Sequence, residues 1–371
     1  MPDIDIAAVQ STVVWATFAL ALLLGALMNR SNFCTMGAVA DIVNMGDWTR
    51  MRMWAAAIGV SILGLQLLAV AGLVDPAKTI YTGSSFTWLS YAVGGLLFGF
   101  GMVLASGCGS KTLVRIGGGS LKSLVVFLAM GLAAYMTLRG LTGVWRVNLL
   151  DPVAVAIAPG QDLPRLLSGG NAGMLDTLRI ALAAVIGGGL VAWSLASREA
   201  REPDALIGGF GTGLAVVGLW YVSGHLGYVA EHPDTLQEAF VATNTGRAES
   251  FTFVAPIAFS LELLLFWSDT SRIVTVGIAA VAGMIAGSCL WALLTRQFRW
   301  EGFRGTEDTA NHLVGGLLMG AGGVTALGCT VGQGISGLST LALGSFVAVA
   351  AIVAGAVVGL KYQMWRIERM G

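Results

Sequence analysis

Residues 94–108 read GGLLFGFGMVLASGC, and residues 315–329 read GGLLMGAGGVTALGC. Ten of the fifteen positions agree at a fixed offset of 221: Gly94, Gly95, Leu96, Leu97, Gly99, Gly101, Val103, Ala105, Gly107 and Cys108 recur as Gly315, Gly316, Leu317, Leu318, Gly320, Gly322, Val324, Ala326, Gly328 and Cys329. A weaker third copy, ALLLGALMNRSNFC, occupies 21–34, where Gly25 precedes Cys34 by nine residues, just as Gly99 precedes Cys108 and Gly320 precedes Cys329. Three of the four cysteines therefore close one kind of segment. Related, glycine-interrupted apolar segments in two halves of a chain are the pattern of transporters, whose substrate sites lie near the bilayer midplane.

The surrounding composition agrees. Apolar residues make up 56% of the 371 and charged residues 11%, against roughly 25% charged in ordinary globular proteins. Lys+Arg and Asp+Glu balance at 21 each, so no basic excess points to nucleic acid. Charge-free runs cover 6–29, 53–74, 79–110, 123–138, 180–197, 205–230, 273–295 and 309–360, and crossing the hydrocarbon core takes about 20 helical residues. Two runs, of 32 and 52 residues (79–110 and 309–360), are too long for one helix and rich in glycine. Broken backbone is tolerated at membrane depth only inside protein or along a cavity, so these runs predict re-entrant or broken helices. The expected fold is all-α: a polytopic membrane bundle of about nine transmembrane helices plus short broken ones, in two pseudo-symmetric halves, 1–200 and 201–371.

The stretch Met1 to Asp5 holds two acids and no base, and no cleavage site follows the first apolar run. Residues 13–28 are therefore expected as a retained helix rather than a signal peptide. Lys361, Arg366 and Arg369 against Glu368 near the end of the chain place the C-terminus inside and the N-terminus outside by the positive-inside rule. Segment 197–204 (SREAREPD) and the Arg296–Arg304 stretch are then cytoplasmic and the acidic 231–249 loop external. Lys111, Arg115 and Lys122 fit this orientation less cleanly.

The glycines divide by position. Gly95, Gly99, Gly316 and Gly320 read as surfaces for close helix packing. The clusters Gly107-Cys108-Gly109 and Gly328-Cys329-Thr330 read as an exposed binding site, since that much backbone freedom lets a ligand approach the main chain. After Cys34 comes TMGAVAD, after Cys108 GSKTL, and after Cys329 TVGQGISGLST. Each reads as a turn opening a short helix, whose N-terminus offers free N–H groups and partial positive charge to an anion. A thiol adds a weak donor and a polarisable sulfur, a pairing suited to an anion that contains soft sulfur.

Other residues carry open alternatives. Lys111 attracts an anion at the pore mouth or snorkels to head groups. Glu262, in PIAFSLELLLFW, is an intramembrane acid that serves in proton coupling or pairs with an arginine such as Arg139. Trp220, Ser223 and His225 complete a fourth loop, or Trp220 and Tyr221 sit in an aromatic belt. Cys289 reads as a buried, inert cysteine. Four scattered cysteines without a CxxC, and only three histidines (His225, His232, His312), argue against a metal, and no cofactor is expected. A redox pair among Cys34, Cys108 and Cys329 requires their loops to converge.

NFCTMG at 32–37, SGCGSKTL at 106–113 and LGCTVGQGISG at 327–337 resemble the YeeE/YedE family of bacterial sulfur transporters, over nearly the whole chain. The resemblance implies an hourglass-shaped helical bundle in the bacterial inner membrane that imports thiosulfate and is not an enzyme. It carries the family's three functional cysteines onto Cys34, Cys108 and Cys329, which pass the anion by S–H···S hydrogen bonds beside the positive ends of short helices. It also implies a small cytoplasmic sulfurtransferase-like partner. The lysine of GCGSK and the long 145–176 loop are not shared by every branch, and other branches are associated with other sulfur or selenium species. An alternative is a membrane thiol enzyme that takes a sulfur atom as a persulfide on Cys108 or Cys329 and hands it inward.

Overall fold

The computed structural model describes residues 5–158, 160–233 and 235–370; Asp3 of the acidic N-terminal stretch and Asp234 of the 231–249 loop lie outside them. Helix α1 (Ile6–Arg30) is followed by the short α2 (Thr35–Met45) and by α3 (Thr49–Val70). Next come α4 (Trp88–Leu104), the short α5 (Gly109–Gly117) and α6 (Leu121–Arg139). Residues 141–195 form α7 (Leu141–Trp145), α8 (Leu163–Ser168), α9 (Ala172–Leu182) and α10 (Gly189–Leu195). The chain ends with α11 (Pro203–Tyr221), α12 (Val254–Leu265), α13 (Val276–Leu294), α14 (Thr306–Thr325) and α15 (Leu343–Met370). Among the described residues, strands are limited to two-residue pairs, Ser85–Phe86 with Val155–Ala156 and Tyr228–Val229 with Ala239–Phe240.

Among the described residues, eight helical segments are long and apolar enough to cross a membrane: Ile6–Met45, Thr49–Val70, Trp88–Gly117, Leu121–Arg139, Gly173–Leu195, Pro203–Leu226, Val276–Leu294 and Leu343–Arg369. The 20-residue α14, with Glu307 and Asp308 in its first turn, packs among them. The two over-long apolar runs are broken as their glycine content requires. In the first, 79–87 is non-helical and α4 starts at Trp88; in the second, α14 stops at Thr325 and α15 starts at Leu343. Between these two helices, Gly332–Gly337 makes one wide helical turn.

The repeat dictates how the centre packs. Helices α4 and α14 cross antiparallel through reciprocal glycines: Gly94 backs onto Gly322, and Gly101 onto Gly315. Since Gly94 corresponds to Gly315 and Gly101 to Gly322, each contact is the other with the copies exchanged, as a local two-fold axis between the helices requires. On their outer faces Gly95 and Gly99 let the backbone of α15 approach α4, and the equivalent Gly316 and Gly320 do the same for α6 against α14. Further out, α1 packs on α13 and α11 on α3.

The charges collect at the ends. Arg30 pairs with Asp204, Lys122 with Asp308, and Arg366 with Glu307. Strand-like contacts join Gly118 and Gly119 to Arg299 and Glu301. Segment 197–204, the 296–304 stretch and the end of α15 therefore share one end of the bundle with Lys122. That places Lys122 beside the basic stretch it had fitted poorly in the sequence.

Candidate functional site

Each of the three repeat cysteines sits two residues after a residue forced into the left-handed region: Asn32 (φ 50°), Ser106 (φ 56°) and Leu327 (φ 56°). The latter two close the same helix-ending motif. The Ser106 N–H bonds the Val103 carbonyl at 3.1 Å and the Gly107 N–H the Met102 carbonyl at 2.8 Å; Leu327 with Val324 and Gly328 with Gly323 repeat both distances. The reversed backbone stops the long helix and throws the following cysteine toward the bundle centre.

The short helices then position the sulfurs. Cys34 is the N-cap of α2, and its Sγ accepts from the Gly37 N–H at 3.4 Å. Cys329 Sγ accepts from the Gly332 N–H at the same spacing and the same 3.4 Å. Cys108, the N-cap of α5, instead contacts Ser110 Oγ at 3.2 Å. The Cys34 and Cys108 thiols are neighbours, and Thr330, next to Cys329 in the chain, is a neighbour of Cys108. Relative exposures of 8% for Cys34, 1% for Cys108 and 0% for Cys329 put all three thiols inside the bundle. All are free cysteines. The structure thus brings Cys34, Cys108, Cys329 and Thr330 together.

Thr330 Oγ1 is fully buried and makes no hydrogen bond within good geometry, an unusual state for a buried hydroxyl. It adds an unused donor next to the thiols. Gly109 differs from the packing glycines: a methyl there would meet only Phe253 Cβ at 3.7 Å and Met130 Sδ at 3.8 Å. A methyl beside Cys108 would therefore be accommodated at ordinary contact distance. Gly107 faces the Lys111 stem and Arg115, and Gly328 faces Gln333. Lys111 Nζ donates to Asn32 Oδ1 at 3.2 Å, so this lysine ties α5 to the turn that carries Cys34.

The remaining candidates fall elsewhere. Cys289 is half-buried within α13 and stays apart from the three thiols. Glu262 is buried at 5% exposure, paired with Arg272 at 2.8 Å and Arg139 at 3.6 Å. Tyr135 Oη donates to the same carboxylate. Trp220 is fully buried, not interfacial, and donates through Nε1 to Ser339 Oγ at 3.0 Å. Ser223 bonds the Glu249 backbone, and His225 is exposed and stacked on Tyr221. The fourth arm at the centre is instead Phe251–Phe253, leading into α12: Phe253 stands against Gly109, and Thr252 against Gly332. Lacking a cysteine and any identity with the repeat, this arm gave no sequence signal.

Comparison with known proteins is consistent with a transport role. A family model described as sulphur transport matches residues 30–358. The chain is similar to the thiosulfate transporter TsuA of Escherichia coli (strain K12), 27% identical over 326 residues that cover 84% of each chain. It is also similar to the thiosulfate transporter TsuA of Spirochaeta thermophila, 25% identical over 347 residues covering 91% of this chain and 94% of that one.

Proposed function

Because this chain belongs to the sulphur transport family, a family of transporters rather than enzymes, we propose that it imports thiosulfate across the bacterial inner membrane through the three-thiol junction. The observation that carries this reading is the convergence of Cys34, Cys108 and Thr330 beside Cys329, each cysteine following a left-handed residue by two positions. The names of both relatives supply the substrate.

Thiosulfate is a dianion, and an unpaired charge in a low-dielectric interior is very costly. A lysine or arginine at the constriction would offset that cost but also hold the ion. Conduction needs sites that admit and release. Thiol donors, the Thr330 hydroxyl and the N–H groups opening α2 and α5 supply partial positive charge only. The anion moves from one thiol to the next by exchanging one S–H···S contact for another. Cys108, the neighbour of both Cys34 and Thr330, is the step that cannot be bypassed.

The reciprocal Gly94–Gly322 and Gly101–Gly315 contacts support two pseudo-symmetric halves, 1–200 and 201–371, that meet at this junction. The gathering of Arg30, Lys122, Arg304 and Arg366 at one end supports a cytoplasmic assignment for that end and for the end of α15, with the start of α1 periplasmic. A small sulfurtransferase-like protein at the cytoplasmic face remains the partner that the family resemblance implies. Uptake of labelled thiosulfate into proteoliposomes tests the function: intact label inside the vesicles is expected. Label retained on the protein as a persulfide, with sulfite released outside, would replace transport by sulfur transfer.

A further inference from the structure

The two equivalent turns Ser106–Gly107 and Leu327–Gly328 each open onto a cavity, and the two cavities differ in charge. The one at Leu327–Gly328 has a volume of about 140 Å³ and a mostly apolar wall that includes Tyr81, Pro256 and Phe259. Its carboxylate, Glu249, already accepts from the Asn244 and Thr245 N–H groups and from Thr245 Oγ1. The one at Ser106 has a volume of about 450 Å³ and is lined by Arg115, Lys122, Arg304, Asp308 and His312, among others.

In this second cavity the acids are taken. Asp308 pairs with Lys122 at 2.8 Å and with His312 at 3.0 Å, and Glu301 faces Lys122 at 3.8 Å. Arg115 is half-buried and, among the described residues, has no carboxylate within ion-pair distance. Its Nη1 stands 3.6 Å from where a methyl on Gly107 would lie, so the guanidinium borders the residue preceding Cys108. Cys108, Lys111 and Arg115 are spaced i, i+3 and i+7, which places them along one face of α5. Lys111 is engaged with Asn32. Among the described residues, Arg115 is the cation on that face without an ion-pair or hydrogen-bond partner in the structure.

We propose that this cavity is an oxyanion-binding vestibule, in which Arg115 holds a sulfur oxyanion one step beyond Cys108. A guanidinium presents paired N–H donors that match two oxygens of a tetrahedral oxyanion. The cavity is wide and polar, so water competes and the anion is released, which a guanidinium at the buried thiols would prevent. The charge difference between the two cavities, carboxylate at one mouth and free guanidinium at the other, draws the anion toward the Arg115 side. The proposal rests on the transport reading above and adds a binding residue to it.

Two measurements test it in the purified full-length protein. In wild type, phenylglyoxal modification of Arg115, read by mass spectrometry, is expected to slow several-fold with thiosulfate but not with chloride at equal ionic strength. In proteoliposomes, Arg115→Gln is expected to lower thiosulfate uptake about tenfold, with Arg115→Lys recovering much of the loss. Equal modification rates in thiosulfate and chloride overturn the proposal, even if Arg115→Gln fails to fold. Wild-type uptake by a well-folded Arg115→Gln also overturns it. Neither result touches the transport reading, which fails only if wild-type vesicles take up no thiosulfate.

Discussion

A methyl group on Gly94 would stand 2.7 Å from the Gly322 carbonyl oxygen, and one on Gly322 would stand 2.6 Å from the Gly94 carbonyl oxygen. The repeat reproduces this contact with its copies exchanged: a methyl on Gly315 would stand 2.6 Å from the Gly101 carbonyl oxygen, and one on Gly101 2.8 Å from the Gly315 carbonyl oxygen. Neither Gly94→Ala nor Gly322→Ala can be accommodated without moving backbone. Each is expected to destabilise the protein by about 1–3 kcal/mol, read as a similar fall in melting temperature in detergent. Gly189→Ala, where nothing lies within 4 Å, is expected to be neutral or slightly stabilising because alanine favours helix. Equal effects at all three positions would refute the close crossing of α4 and α14.

The four cysteines separate into three and one. Cys34→Ala and Cys329→Ala are each expected to reduce thiosulfate uptake substantially, because each removes a thiol of the junction. Cys289→Ala, on α13 and away from the junction, is expected to leave uptake unchanged. Strong loss in Cys289→Ala, with little in the other two, would mean that the passage runs elsewhere.

Glu262 is an ion-pair partner in the structure. Glu262→Gln leaves Arg272, at 37% side-chain exposure, facing an uncharged amide. The expected cost is about 1–2 kcal/mol, below that of a fully buried pair because the arginine keeps water. Uptake and its pH dependence are expected to persist in vesicles of the variant. Loss of pH dependence would assign Glu262 to proton coupling instead.

Gly109 tests whether the route runs beside Cys108. Gly109→Ala meets only ordinary contacts, so the melting temperature is expected to hold. A methyl in the passage is expected to slow uptake several-fold. Full uptake with full stability would place the route away from Gly109.

Much of this arrangement is legible in the residues. The repeat is spelled out by identities, and glycines every few positions on α4 and α14 foretell how closely those helices meet. The cysteine turns are visible because a glycine precedes each of the three cysteines by the same nine residues and a helix-opening stretch follows it. Other features leave no such trace. Residues 79–87 carry no charge yet form no helix, since the absence of charge sets a limit on helices without starting one. The Phe251–Phe253 arm has neither cysteine nor glycine, and only packing brings it to Gly109. Trp220 reads as an interfacial aromatic until a buried hydroxyl, Ser339, is found to accept its N–H. Arg115 looks like one more end-of-helix base; its lack of an acid partner emerges only when Lys122 and His312 are seen to occupy Asp308.

The central claim is that thiosulfate passes intact through a junction in which Cys108 is the indispensable thiol. Its most direct test is uptake of thiosulfate labelled in the outer sulfur into proteoliposomes, wild type against Cys108→Ala. Labelled thiosulfate inside wild-type vesicles and background levels in the variant are the expected result. Uptake by Cys108→Ala at the wild-type rate would contradict the account.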